Sequence, residues 1–192
     1  ELIVQLPAWR PGRYELGNFA KNIQYFKVFD AQGLPLKFQK ITKDTWKIST
    51  ANSSEIVIQY NYYANELNAG STYLDEIQLY VNPINCCLYV PNRIDEMCIV
   101  NLEVPSSYKI ACSLAQDNNQ LKAKNFDELV ESPWIASNSL KYNKYSVQGI
   151  NFHIWFQGKC QLDWNRILKD FKAFTSHQIN DFKAFPVSEY HF

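Results

Sequence analysis

The chain has 192 residues, and its 19 basic side chains balance its 19 acidic ones, so the formal net charge is zero. A neutral chain lacks the basic footprint of a nucleic-acid-binding domain, and no apolar run approaches the roughly 20 residues of a membrane span. Hydrophobic residues make up 46% of the chain and aromatic residues 15%, which excludes a disordered protein and is sufficient for a buried core.

Most of the chain alternates between apolar and polar side chains with a period of two. This pattern, rich in β-branched and aromatic residues, is typical of half-buried antiparallel strands. Turn-forming segments separate the runs, and Asp30–Gly33 has the composition of a hairpin turn with glycine in the left-handed position. We therefore predict a mainly β fold, an antiparallel β-sandwich or open saddle of sheets. The clearest runs are 34–39, 55–62, 77–81, 98–104 and 151–157.

The period changes at Asp163. From there on, apolar side chains recur every three or four residues, which predicts one face of a long helix. Asp163 is a suitable N-cap, and Pro186 ends the pattern. The residues after Pro186 have the composition of another strand. We predict two units: a β-sandwich over residues 1–160, and a helix and strand over 161–192 that begin a second domain.

The cysteines are odd in number and include no C-x-x-C pair, which argues against zinc-ribbon and thioredoxin-like sites. We predict that all of them are free and mostly buried as small apolar side chains. Free thiols favour a reducing compartment, so the cytoplasm is favoured over the periplasm. The five are Cys86, Cys87, Cys98, Cys112 and Cys160.

The three histidines, His153, His177 and His191, do not have the spacing of an H-E-x-x-H zinc helix. The sequence also contains no G-x-S-x-G nucleophile motif and no glycine-rich phosphate loop. We therefore predict no catalytic residue, no metal ligand and no cofactor in this chain. His153 falls on the polar side of its strand, where we expect a surface or hydrogen-bonded imidazole.

The most distinctive segment is L-P-A-W-R-P-G-R-Y at residues 6–14. Pro11 and Gly12 together favour a type II turn. Trp9 and Tyr14 flank that turn and are placed to clamp it by packing. The segment has two interpretations: a rigid structural corner of the sandwich, or a corner that also forms a cleft wall.

Together with N-F-A-K-N-I at 18–23, this segment resembles the N-terminal domain of the glycyl aminopeptidase family of zinc metallopeptidases. Further stretches resemble that family in the same order along the chain, so the resemblance covers nearly all of it. They are D-A-Q-G-L-P-L at 30–36, K-D-T-W-K-I at 43–48, V-I-Q-Y-N-Y-Y-A at 57–64, D-E-L-V-E-S-P at 127–133, and Phe152-His153 with Gly158.

The resemblance implies a parent protein in which a β-sandwich precedes a thermolysin-like catalytic domain. In that family zinc is held by an H-E-x-x-H helix and a downstream glutamate, which would lie beyond Phe192. The expected parent is a zinc-dependent aminopeptidase acting on peptides. This chain would be its non-catalytic N-terminal domain, with the downstream catalytic domain as its partner and residues 161–192 as that domain's first helix and strand.

The resemblance also implies that the N-terminal domain helps to shape the substrate cleft. The candidate residues are Tyr73, Asp75 and Asn82, which lie around the turn at 69–72, and Asp75 is the candidate partner for a substrate ammonium group. Each also has a simpler structural interpretation: a half-buried tyrosine, a solvated turn aspartate and an asparagine that ends a strand.

Two alternatives come from other classes of protein. An aromatic-rich β-sandwich can be a binding module for carbohydrate or an extended peptide, and an exposed Trp134 or Trp155 in a shallow groove would favour it. The second alternative is a purely structural interface domain, which would expose an apolar patch.

Overall fold

The computed structural model describes residues 1–10, 13, 15–50 and 53–192. Within these ranges the fold is mainly β and its strands pair almost entirely antiparallel, as predicted. The elements in chain order are β1 (Leu2–Gln5), β2 (Ile23–Asp30), β3 (Phe38–Lys40), β4 (Thr45–Ile48), β5 (Ile56–Tyr62), β6 (Tyr73–Leu74), β7 (Gln78–Val81), α1 (Pro83–Cys86), β8 (Cys98–Asn101), β9 (Lys109–Ala111), β10 (Ala115–Asp117), β11 (Gln120–Ala123), α2 (Phe126–Val130), β12 (Trp134–Ser137), β13 (Lys141–Val147), β14 (Ile150–Phe156), α3 (Trp164–Phe182) and β15 (Glu189–His191).

The first core lies between the sheet β1-β4-β3 and the two-stranded sheet β2-β5. Leu6 and Ile48 are fully buried there, and Trp46 stacks on Phe26 with ring centroids 4.7 Å apart. The predicted turn at Asp30–Gly33 is confirmed: Gly33 has φ +79° and its N–H donates to the Asp30 carbonyl. The left-handed φ explains the glycine at that position.

The second core lies between the sheets β6-β7-β12-β9 and β10-β11-β8, with α2 packed against it. Leu121 and Ala136 are fully buried in it. A polar tip at residues 116–119 joins β10 to β11, and Asn118 adopts a left-handed conformation there. These two layered cores account for the architecture of residues 1–137.

The third and smallest core lies between α3 and the sheet β13-β14-β15, where Val147, Phe152 and Ile179 are buried. The predicted N-cap is confirmed, because the Asp163 carboxylate accepts a hydrogen bond from the Arg166 N–H at 3.0 Å. β15 pairs with β14 in parallel, so α3 is the crossover between two strands of one sheet. The division of the chain at residue 160 remains a prediction.

The prediction that all five cysteines are mostly buried is confirmed, since none of them is exposed. Cys112 is buried, whereas the other four are only partly buried, and all five thiols are free. Cys86, Cys87 and Cys98 lie at the border of the second core, where their strands and turns meet solvent. Burial raises the pKa of the Cys112 thiol, which disfavours the reactive thiolate.

Part of the predicted corner at residues 6–14 lies outside the described residues, namely Pro11, Gly12 and Tyr14. Trp9 is described, and 49% of its surface is exposed. The clamp between Trp9 and Tyr14 therefore remains a prediction. Among the described helices, none combines the length and the apolar character that crossing a membrane requires.

Candidate functional site

A groove of about 1190 Å³ separates the sheet β6-β7-β12-β9 from the C-terminal segment. One wall carries Tyr80, Trp134 and Ile135, and the other carries Trp155 and residues 185–192. The walls belong to different cores, so the groove is the junction between the sandwich and the third sheet.

Asn82 braces the sandwich side of this groove. It is 7% exposed, and its side-chain nitrogen lies within hydrogen-bond distance of the Ala69 carbonyl, the Ser71 carbonyl and the Tyr80 hydroxyl, at 3.1, 3.0 and 3.2 Å. Its backbone N–H also donates to the Thr72 hydroxyl at 3.2 Å. The side-chain nitrogen is fully used within the protein, so Asn82 holds the turn and Tyr80 in place.

Two further residues fix the same turn. Asn85 is 1% exposed, and its side chain donates to the Gly70 carbonyl at 3.0 Å. The Arg10 guanidinium lies directly over Gly70, where a Cβ atom would overlap its nitrogens. Arg10 belongs to the distinctive segment at 6–14, so the described part of that segment packs at this residue against the turn at 69–72.

Asp75 and Tyr73 lie beside this unit and face solvent more freely. The Asp75 carboxylate accepts hydrogen bonds from the N–H groups of Ile77 and Gln78, both at 2.9 Å, and these bonds lower its pKa. The Asp75 charge and a hydrogen bond to it raise the pKa of Tyr73. Asp75 therefore presents a partly exposed negative charge at neutral pH.

None of the three predicted cleft residues is among the described residues that line the groove. Asn82 is connected to the groove only indirectly, through its hydrogen bond with Tyr80, which lines the groove. Tyr73 and Asp75 lie on the adjoining hairpin of β6 and β7, where Tyr73 pairs with Tyr80. The structure thus brings the three close together and places them next to the groove.

The other side of the groove carries a cluster of metal-ligating side chains on the sheet β13-β14-β15. His153, Glu189 and His191 each offer one ligand atom, and these three atoms lie within 4.8 Å of one another. His153 Nε2 is 3.8 Å from Glu189 Oε2, and the two imidazole rings stack with centroids 4.4 Å apart. Glu189 and His191 also line the groove.

Aromatic neighbours hold both imidazoles. The Tyr142 hydroxyl is 2.9 Å from His153 Nδ1, and the Trp155 indole N–H donates to His191 Nδ1 at 3.3 Å. Burial, followed by the neighbouring His153, lowers the pKa of His191 to about 4. His191 is therefore neutral at physiological pH.

No metal ligand is predicted from the sequence, so this cluster becomes evident only in the structure. One signal was readable: Glu189 and His191 are two residues apart in a predicted strand, which places them on the same face. The pairing of that strand with β14 was not readable, because it joins residues 38 positions apart such as His153 and His191.

Neither of the two tryptophans considered for a sugar-binding platform is an exposed ring in this groove. Trp134 is 4% exposed, and its indole nitrogen has no hydrogen-bond partner among the described residues. Trp155 is half-buried against Tyr142, with ring centroids 4.3 Å apart. A stacking platform needs an open ring face, and Trp134 does not offer one.

The sequence matches the family model of the peptidase M61 N-terminal domain over residues 1–138. Among proteins with curated functions, none matches the chain. The match covers both cores of the sandwich and ends just before β13.

Solved structures resemble the whole chain. An aminopeptidase N family protein from Idiomarina loihiensis is 27% identical, with a TM-score of 0.91, and the match covers 100% of this chain and 34% of that one. An M1 zinc metallopeptidase from Deinococcus radiodurans is 12% identical with a TM-score of 0.52, and the match covers 98% of this chain and 47% of that one. The second likeness concerns the fold alone. The chain spans about a third to a half of the length of these proteins.

Proposed function

Because the chain belongs to the family of peptidase M61 N-terminal domains, we propose that it is the non-catalytic N-terminal domain of a zinc metallo-aminopeptidase and helps to shape the substrate cleft. Its proposed partner is the catalytic domain of the same parent protein, and the parent's proposed substrate is a peptide with a free N-terminus. The likeness of this chain to one third of an aminopeptidase N family protein supports the proposal that it is one domain of a larger enzyme.

The proposed parent takes its zinc ligands from outside this chain, since the 192 residues contain no H-E-x-x-H motif. In such an enzyme zinc polarises the scissile carbonyl and lowers the pKa of the attacking water. The contribution of this chain is different: it positions a wall beside the place where the substrate enters.

The observation that supports a cleft-shaping role is the bracing of the turn at 69–72. Asn82, Asn85 and Arg10 fix this turn from three directions. A wall held in this way excludes ligands of the wrong shape, because it does not adapt to them. Beside it, the partly exposed Asp75 carboxylate and Tyr73 ring are the groups proposed to face incoming peptide, and the carboxylate favours a substrate's α-ammonium group.

The experiment is a kinetic comparison in the full-length parent protein. We expect Asp75→Asn to raise KM for short peptides several-fold and to change kcat little, because the lost interaction concerns binding of the ammonium group. Asp117→Asn is the matched control, since Asp117 is an exposed carboxylate at the tip of the β10–β11 hairpin. Equal KM values for the parent and Asp75→Asn would contradict the proposal.

The non-catalytic assignment has its own test. The 192-residue chain, supplied with zinc, is expected to release no N-terminal amino acid from short peptides. The measurement is a chromogenic aminopeptidase assay. Metal-dependent turnover at rates typical of enzymes would show that the chain itself is a peptidase.

A further inference from the structure

We propose that His153, Glu189 and His191 form a binding site for one divalent transition-metal ion of the zinc class. Two imidazole nitrogens and one carboxylate oxygen are the ligands, and the fourth position is open to water. All three ligands lie in this chain. It does not depend on the proposed function.

The backbone places the three ligands on one face of a sheet. In the parallel pair β14-β15, His153 lies opposite His191 and Asn151 lies opposite Glu189. Side chains two residues apart on a strand point to the same side, so Glu189 and His191 both flank His153.

The spacing is close to that of a bound ion. Two ligands of a tetrahedral zinc ion, each about 2.0–2.1 Å from the metal, are about 3.3 Å apart. His153 Nε2 and Glu189 Oε2 are 3.8 Å apart, and all three ligand atoms lie within 4.8 Å of one another. Shifts of a few tenths of an ångström to about 1 Å in side chains bring the ligand atoms to this spacing, and the Glu189 carboxylate is exposed and can move. The orientation of the His191 ring is a separate requirement.

His153 is prepared as a ligand. When its Nδ1–H donates to the Tyr142 hydroxyl, which is 2.9 Å away, the lone pair lies on Nε2. Metal-bound histidines are typically held in this way by their second ring nitrogen. His153 Nε2 is buried and has no hydrogen-bond partner among the described residues, so a polar atom faces the cluster unsatisfied.

His191 must rearrange before it binds. Its Nδ1 accepts the indole N–H of Trp155 at 3.3 Å, and its ring is stacked on His153 at an interplanar angle of 20°. Coordination through either ring nitrogen of His191 requires that the hydrogen bond from Trp155 be released. The His191 ring must also tilt, so that its lone pair and that of His153 both point to the ion. Binding is therefore coupled to the environment of Trp155, which lines the groove.

The first experiment is a titration of the 192-residue chain with Co²⁺, a spectroscopic substitute for Zn²⁺, followed by competition with Zn²⁺. We expect saturable binding of one ion and visible absorption bands from nitrogen and oxygen ligands. Strong near-ultraviolet thiolate bands would identify the free cysteines as the ligands and overturn the proposal, as would the absence of saturable binding.

Variants test the assignment of ligands. We expect His153→Gln, Glu189→Gln and His191→Gln each to weaken binding by about tenfold or more. His177→Gln is the matched control, because His177 is an exposed histidine whose Nε2 lies 3.4 Å from a carboxylate oxygen of Asp181. Glu189 is exposed, so its variant is expected to fold even if a histidine variant does not. Affinities equal to that of the unmodified chain in all three ligand variants would overturn the proposal.

Tryptophan fluorescence is a further test, because an ion bound nonspecifically at the surface would not change the emission of Trp155. We expect Zn²⁺ to change the emission of the unmodified chain with the same midpoint as the Co²⁺ competition. Trp155→Phe is expected to retain metal binding and lose most of that change. An unchanged signal in the Trp155→Phe variant would show that the ion binds elsewhere.

Discussion

The sandwich and the C-terminal sheet differ in how much apolar surface holds them together. Residues 1–137 contain two cores with fully buried side chains in each, such as Ile48 and Leu121. The sheet β13-β14-β15 and α3 share a core of three buried residues, and α3 leaves Phe182 80% exposed. Because its cores contain more buried apolar residues, the sandwich is the more rigid region. The histidine cluster lies in the region with less hydrophobic stabilisation.

The largest expected effect is a cavity in the sandwich. Ile48→Ala is expected to lower the free energy of unfolding by about 2–5 kcal/mol, because Ile48 is fully buried between two sheets. The matched change in the other region, Ile179→Ala, is expected to reduce hydrogen-exchange protection in α3 and leave the sandwich amides protected. Urea unfolding measures the free energy of unfolding of Ile48→Ala, and hydrogen exchange measures the protection of α3 and of the sandwich in Ile179→Ala. A global loss of protection in Ile179→Ala would mean that the regions unfold as one unit.

A second prediction concerns the brace inside the sandwich. Asn82→Asp replaces an amide donor with a carboxylate that faces two carbonyl oxygens, and we expect a loss of about 2–3 kcal/mol in the free energy of unfolding. Asn101→Asp is the control, since the Asn101 side chain only accepts a hydrogen bond, from Gln120, and an aspartate still can. Equal urea midpoints for the two variants would argue against the brace.

A third prediction concerns the start of α3. Asp163→Ala removes the acceptor for the Arg166 N–H, and the expected cost is about 1 kcal/mol, confined to the helix and its sheet. Asp170→Ala is the control, because Asp170 only forms an exposed pair with Arg166 on the same helix. Helix content and hydrogen exchange in α3 are the measurements. A cost no larger than that of the control would show that the cap is not needed.

The smallest effect is expected at Asp75 and depends on pH. Its pKa is lowered in the folded chain, so its contribution to stability is present at neutral pH and is lost as the pH falls below the ordinary aspartate value of about 3.9. Asp75→Asn is therefore expected to lower the urea midpoint slightly at pH 7 and not at all in strong acid. A difference that persists in acid would point to a cause other than the charge.

Local signals in the sequence predicted the elements well. The alternation at 55–62 is β5, and the aspartate before a helical period is the N-cap of α3. The family resemblance, carried by stretches from 6 to 158, is confirmed over residues 1–138 by the family model. These features depend on neighbours within a few residues, which is why the sequence shows them.

Distant contacts were not predictable in the same way. Alternation shows which face of β14 is polar, but nothing local indicates that β15 pairs with it in parallel. The same is true of Arg10 over Gly70, a contact between residues 60 positions apart.

The parallel pairing of β14 and β15 has a consequence for the order of folding. Antiparallel hairpins such as β13-β14 close over a few residues, whereas β15 reaches its partner only after the chain has passed through all of α3. Closing a long loop costs more chain entropy and is slower than closing a short one. The last strand is therefore expected to join after the hairpin and helix have formed, so that the two stacked imidazoles meet in the final step.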